Sequence, residues 1–209
     1  EYEIRPGTSP RELLRQLVDG NVVLHTLTVV EGWRFDEFLT ALRKHPAIVS
    51  GNDDAETIMR KLGSEGVHPE GQFFPDTYSF PRGTADLAIL RQAHEAMIES
   101  LSTVWDQRRT LVLNDRYEAL ILASIIEKET ALSSERQRIA GVFSRRLQLG
   151  MRLQTDPTVI YGLGAGFDGN LRRDDLDTDT PYNTYIRAGL PPTPIALPGA
   201  AALRAAIEP

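Results

Sequence analysis

From Tyr2 to Arg5 apolar and polar positions alternate and stop at Pro6-Gly7, which predicts a short strand and a turn. Thr8 or Ser9 can then cap a helix with Pro10 in its first turn, where Leu13, Leu14, Leu17 and Val18 form one apolar face and Asp19-Gly20 ends it. Val22 to Val30 is rich in β-branched residues and reads as a second strand. This β-α-β unit is too short to bury a core and must lean on another part of the protein. Glu31-Gly32 marks a joint. Beyond it Trp33, Phe35, Phe38, Leu39 and Leu42 fall at helical spacing, with Arg34 or Asp36 near the start. Gly51 to Asp54 predicts a turn and Ala55 to Leu62 a short helix.

Gly66 to Pro81 has no period. It packs aromatics, proline and acids together in Glu70-Gly-Gln-Phe-Phe-Pro-Asp-Thr-Tyr78, the composition of a functional loop or of an aromatic plug. A long helix begins at Thr84, with Leu87, Ile89, Leu90, Ala93, Met97, Ile98 and Leu101 inward and His94 as a filler. Tyr117 to Ile126 is apolar almost all round, the pattern of a helix in a domain centre, and it runs directly into Glu127-Lys128-Glu129. Ser133 or Ser134 caps a further helix with Ile139, Val142, Phe143 and Leu147 on its inner face, ended by Gly150. Leu153 to Gly162 predicts an extended piece, a turn at Asp156-Pro157 and a short helix. The acidic stretch Asp168 to Asp179 fails the spacing of a calcium loop, having no closing glutamate, and reads as a solvated loop. Leu197-Pro-Gly199 leads into an Ala-rich helix ending at Pro209.

Composition narrows the chemistry. With 209 residues, 41% of them hydrophobic, one medium domain fits, or one domain with a small appendage. A net charge of -6 with scattered Lys and Arg argues against nucleic acid. The absence of cysteine removes disulfides, thiolate metal sites and thiol nucleophiles. Neither a P-loop, a dinucleotide fingerprint, paired histidines nor a serine elbow is present, so no cofactor or metal is implied. No apolar run approaches a membrane span. The start at Glu1 without Met and the abrupt end suggest a fragment from which an anchoring segment has been removed.

Two acids at the end of an apolar helix are either solvated residues of its last turn or a general acid, since burial against apolar walls keeps a proton on a carboxyl group. Amide, hydroxyl and tyrosine groups in the surrounding loops suit a carbohydrate, which offers apolar ring faces and many hydroxyls. Helical phase turns Glu127 and Glu129 about 200° apart, so one narrow cleft can use only one of them.

The segments Ala123-Ser-Ile-Ile-Glu-Lys-Glu-Thr130, Glu135-Arg136, Gly150 to Gly162, Tyr182-Asn-Thr-Tyr185, Gly189-Leu-Pro-Pro192 and Pro198-Gly199 together resemble the endolytic murein transglycosylases of the MltG (YceG-like) family. Glu70-Gly71 and Pro75-Asp-Thr-Tyr78 match the same pattern. The resemblance implies an α+β fold in which a partial LysM-like module, residues 1–30, precedes a mainly helical catalytic domain over residues 31–209 with loop and short-strand insertions. It implies a single-pass inner-membrane protein of the bacterial envelope with this domain on the periplasmic side, the membrane being reached only through a segment outside the chain. The substrate would be the glycan strands of nascent peptidoglycan and the partners the peptidoglycan synthases. Goose-type lysozymes and related lytic transglycosylases carry their acid as Glu followed by Ser at the end of a buried helix. Glu129-Thr130 is the nearer match, with Glu127 as supporting or alternative acid and Arg136 or Arg145 as its ion-pair partner. The resemblance further implies Gln154, Thr155, Asp156, Tyr161, Tyr182, Asn183 and Tyr185, with Glu70, Asp76 and Tyr78, as substrate-binding groups. Two rivals stay open: a peptidoglycan-binding scaffold without catalysis, and a lysozyme-type hydrolase using Glu127 or Asp156 as second carboxylate.

Overall fold

A computed structural model of the chain describes residues 1–209 apart from Arg5, Asn21 and residues 109–111. Among the described residues the fold is α+β, with nine α-helices and four short strands in two two-stranded sheets. Helix α1 (Pro10–Val18) starts at Ser9, whose side chain and backbone exchange hydrogen bonds with Glu12 in a capping box. Its apolar face is not used for packing: no α1 residue is buried, and Leu14 and Val18 are 62% and 76% exposed. The strand expected over Tyr2 to Arg5 does not form over residues 2–4, and Arg5 lies outside the described residues.

Strand β1 (Leu24–Thr28) is shorter than the expected Val22 to Val30, because its partner sets its length. That partner is β3 (Thr77–Pro81), antiparallel, with Leu24 opposite Pro81 and Thr28 opposite Thr77. The unperiodic aromatic segment therefore contains a strand, and Tyr78 and Phe80 point inward from it. Five alternating residues between a Pro-rich loop and a turn are too few to stand out as a period. Helix α2 (Phe35–Lys44) buries Phe35, Phe38 and Leu42, as its spacing predicts. Strand β2 (Ile48–Val49) pairs in parallel with β4 (Thr84–Ala85), and α3 (Ala55–Lys61) between them is capped by the Asp54 side chain.

Helix α4 (Asp86–Asp106) joins two clusters of buried side chains. Ile89, Leu90 and Ala93 pack with α2, β1 and β3, and Met97 enters a second cluster around α5 (Arg116–Glu129) and α9 (Ala200–Ile207). Ile98, expected inward, is 53% exposed because one residue past Met97 the helix has turned outward. His94 is a core group: Nδ1 donates to the Gln72 carbonyl at 2.9 Å, which leaves Nε2 to accept from the Ser64 hydroxyl at 2.9 Å. In α5 every residue from Ala119 to Ile126 is buried, so this helix is the centre about which α4, α6 (Ser133–Gln148), α7 (Asp156–Leu163) and α9 are arranged.

Two capping and loop expectations are corrected. Ser133 and Ser134 lie inside α6 and its N-cap is Leu132, because Thr130 supplies the polar contacts instead. The Thr130 hydroxyl donates to Glu135 at 2.8 Å and accepts the Leu132 N–H at 3.0 Å. The acidic stretch is not all loop: it holds the short helix α8 (Arg173–Asp177), whose opening N–H groups favour the acids of its first turn. No helix among the described residues is long and apolar enough to cross a membrane.

Candidate active site

At the C-terminus of α5, four successive side chains each hold a different part of the fold. Glu127 receives Arg136 Nη2 of α6 at 2.8 Å on one oxygen and the Gly199 N–H at the start of α9 at 2.9 Å on the other. Lys128 Nζ donates to the Gly32 carbonyl at 3.1 Å. Glu129 Oε2 accepts the Thr155 hydroxyl at 2.6 Å, just before α7, and Thr130 holds the entry to α6. The two acids are thus separated as helical phase requires. The burial expected for the reacting acid is found at Glu127, whose side chain is 4% exposed, but its carboxylate meets Arg136 and the Gly199 N–H rather than apolar walls. Burial pushes its carboxyl group up, and the Gly199 N–H and the Arg136 charge pull it back. Glu129 is exposed and faces a cleft whose walls mix the apolar side chains of Ile139, Val142 and Phe143 with charged groups.

That cleft has a volume of about 400 Å³. Arg138, Val142 and Arg146 line one wall from α6, four residues apart and therefore on one helix face. Val142, expected inward, is 49% exposed for this reason. Gln154 lines the opposite side and is the non-glycine residue with left-handed backbone, at φ 52°, among the described residues. Such a conformation is costly for a residue with a Cβ and persists where surroundings fix it. Here the Gln154 N–H donates to the Thr184 carbonyl at 3.1 Å, and Arg146 Nη1 donates to the carbonyl of Leu153. Thr155 is buried and its N–H donates to Thr184 Oγ1 at 3.1 Å, so the backbone that carries the hydroxyl on Glu129 is held in place. Beside it Tyr185 donates to Asp156 at 2.6 Å. The hydrogen bond to Asp156, then burial, Asp156's charge and Glu129's charge push the Tyr185 phenol up to about 12, against the opposing charge of Arg146.

The expected binding groups do not all meet here. Gln154, Thr155, Asp156 and Tyr185 gather around Glu129. Tyr161 and Tyr182 lie toward the other end of α7, their rings edge-on at 4.8 Å, in a second cleft of about 500 Å³ with Glu70. Asn183 reaches neither cleft: fully buried, it donates to the Leu176 and Thr178 carbonyls at 2.9 and 2.7 Å and accepts the Tyr185 N–H at 2.9 Å, so it shapes the loop that presents Tyr185. Asp76 and Tyr78 belong to the β1–β3 joint. The Asp76 carbonyl accepts the Val29 N–H at 2.9 Å, its carboxylate accepts the Thr77 N–H at 2.7 Å, and the Tyr78 hydroxyl donates to the Phe74 carbonyl at 2.5 Å.

Sequence reasoning missed Thr184, Arg138, Arg146 and Arg34. The four-residue spacing of Arg138, Val142 and Arg146 was a usable signal. Thr184 gave none, because its part is to meet Thr155 across a loop closure. Among the described residues no group of three or more His, Asp or Glu side chains is placed to hold a metal.

Comparison with known proteins extends over the whole chain. Residues 1–209 match the model of the YceG-like family. A Bacillus subtilis protein named endolytic murein transglycosylase is 30% identical across all of this chain and 63% of its own length. A Streptococcus pneumoniae protein of the same name is 29% identical across 99% of this chain and 44% of its own length. The chain therefore spans between two fifths and two thirds of these curated relatives. The crystal structure of a YceG-like protein from Listeria monocytogenes superposes with a TM-score of 0.73 at 30% identity, covering all of this chain and 75% of that one. Matched from end to end by the family model, the chain belongs to the YceG-like family.

Proposed function

We propose that this chain is the cutting part of a lytic transglycosylase of peptidoglycan and that Glu129 is its single general acid and base. The names of the Bacillus and Streptococcus relatives supply the substrate and the reaction class. In this reading Glu129 protonates the bridging oxygen between N-acetylmuramic acid and N-acetylglucosamine as the β-1,4 bond breaks. The carboxylate so formed takes the proton of the muramoyl C6 hydroxyl while that oxygen bonds to C1 and closes a 1,6-anhydro ring. No water is consumed and the acid is regenerated.

The observation that carries the reading is the division between the two glutamates. Both Glu127 oxygens are engaged by Arg136 and Gly199 behind the cleft, whereas Glu129 is exposed in it with the Thr155 hydroxyl on one oxygen. A hydrolase uses two carboxylates flanking the bond. Glu127 is shut away from that part, whereas Asp156, exposed with the Tyr185 hydroxyl on one oxygen, is the carboxylate a hydrolase would have to use. In the same reading Thr155 orients the acid, Gln154 and Tyr185 hold the sugars, and the charges of Arg138 and Arg146 meet the anionic substituents of the muramoyl unit. Residues 1–30 would be part of a LysM-like module ahead of the catalytic domain, and the synthases that lay down the strand would be the partners at the cell wall.

Glu129→Gln tests this. It keeps size and hydrogen-bonding reach but cannot give up a proton, so glycan cleavage should fall at least about a thousandfold with an unchanged thermal transition. Retained cleavage would refute the assignment.

A further inference from the structure

Among the described residues the Glu129 carboxylate is hydrogen-bonded by the Thr155 hydroxyl alone, so its place in the cleft depends on the turn of α5 that carries it. That turn is held from outside by residues 31–33. The Gly32 carbonyl accepts Lys128 Nζ at 3.1 Å, and the Gly32 N–H donates to the Leu197 carbonyl at 2.8 Å. The Leu197 N–H in turn donates to the Trp33 carbonyl at 2.7 Å. Beside them a Glu31 carboxylate oxygen lies 3.6 Å from Arg136 Nη2, which also meets Glu127 at 2.8 Å. One guanidinium therefore bridges two carboxylates, one from this turn and one from α5.

Stability does not account for Glu31. Its side chain is 47% exposed and Arg136 already has a nearer partner, so the second ion pair contributes little. Burial, joined by the Glu31 charge, pushes the Glu127 carboxyl group up, so Glu31 works against its neighbour. Arg136 Nε is buried without a hydrogen-bond partner, a cost that apolar packing would avoid. Gly199 shows that the arrangement is nonetheless built. Its φ of -81° is open to any residue, yet an added Cβ would overlap the Glu31 carboxyl group. The missing side chain leaves the seat in which Glu31 lies beside Arg136, on the residue whose N–H holds Glu127.

We propose that Glu31 is a positioning residue: through Arg136 and Glu127 it fixes the last turn of α5, and with it the reach of Glu129 to the bond. The link to catalysis rests on the reading of Glu129 as the acid; the hold on the turn does not. Reacting groups tolerate little misplacement, so a last turn free to shift lowers the rate and leaves the fit of the strand unchanged.

Glu31→Gln removes the charge and keeps the size. The kcat for cleavage of soluble glycan strands should fall about tenfold, with KM and the chemical denaturation midpoint unchanged. Gly199→Ala displaces the same carboxyl group from the other side and should lower kcat to a similar degree. Because both act through one contact, the double variant should be no slower than either single one. In the ¹⁵N-labelled chain, the amide shifts caused by Glu31→Gln should extend to Glu129 and Thr155, a readout that needs no activity. Parental kcat in Glu31→Gln, a change in KM alone, multiplied losses in the double variant, or unmoved Glu129 and Thr155 amides would overturn the proposal. A Glu129→Gln chain that still cleaves rejects the acid reading instead, and the amide shifts then decide by themselves whether Glu31 holds the turn.

Discussion

The Thr155 hydroxyl donates to Glu129 at 2.6 Å while the Thr155 backbone N–H is held by Thr184 Oγ1, so in the proposed mechanism it is the group that aims the acid. Thr155→Val keeps the shape, removes the donor and lets the carboxylate swing. The rate of strand cleavage should drop roughly 10- to 100-fold with little change in substrate affinity, since about 1–3 kcal/mol is typical for a hydrogen bond to a charged group. Steady-state kinetics on soluble glycan strands read this directly, and an affinity loss without a rate loss would make Thr155 a substrate contact instead. At this scale the sequence was informative about which residue types cluster and poor about which way they face. Glu127 and Glu129 were separable because helical phase is a local property. Asn183, Asp76 and Tyr78 were not, because whether a side chain turns to a cleft or to a carbonyl depends on loop paths that no local pattern encodes.

The end of α5 is an element-scale device, since its position is set by contacts to α6, α9 and the Gly32 turn. Glu127→Ala leaves the Arg136 guanidinium, 11% exposed, without its nearest partner, Glu31 standing farther off at 3.6 Å. Breaking a buried ion pair in this way costs about 3–5 kcal/mol, so the chemical denaturation midpoint should fall sharply, and Glu127→Gln, which keeps the Gly199 contact, should fall less. Equal midpoints for the three proteins would remove Glu127 from this role. Gly71 offers a second check. Its φ is 79° and an added Cβ would meet Pro194 at 2.5 Å, so Gly71→Ala should cost roughly 2–4 kcal/mol through strain and overpacking, read by the same denaturation. The long helices were legible because their apolar faces recur over three or more turns. β2, β3, β4 and α8 were not, being two to five residues long and defined by a partner distant in the chain.

Across the whole molecule, α4 and the Glu70 contacts tie the β1–α2 half to the α5 half: Glu70 takes the Phe35 N–H from one and the Tyr161 hydroxyl from the other. Its carboxyl rises from 4.5 to about 7 on folding, so the folded chain holds the proton more tightly. The associated stability is complete below about pH 4.5 and is lost as the pH rises through about 7, a difference of up to roughly 3 kcal/mol. Denaturation between pH 4.5 and 8 should show this decline in the parent and a flatter profile in Glu70→Gln; parallel profiles would contradict it. The central helix followed from periodicity and the α+β class from the family resemblance, but the split of the expected binding groups between two clefts did not follow from either, because α7 and the Tyr182–Tyr185 loop are positioned by long-range closure. The central claim, one acid and no water, is tested most directly by mass spectrometry of the fragments that the unsubstituted chain releases from purified peptidoglycan strands. The account predicts new ends that are 1,6-anhydromuramoyl, with no mass of water added across the cut. Reducing ends carrying one added water per cut would contradict it and make the chain a hydrolase.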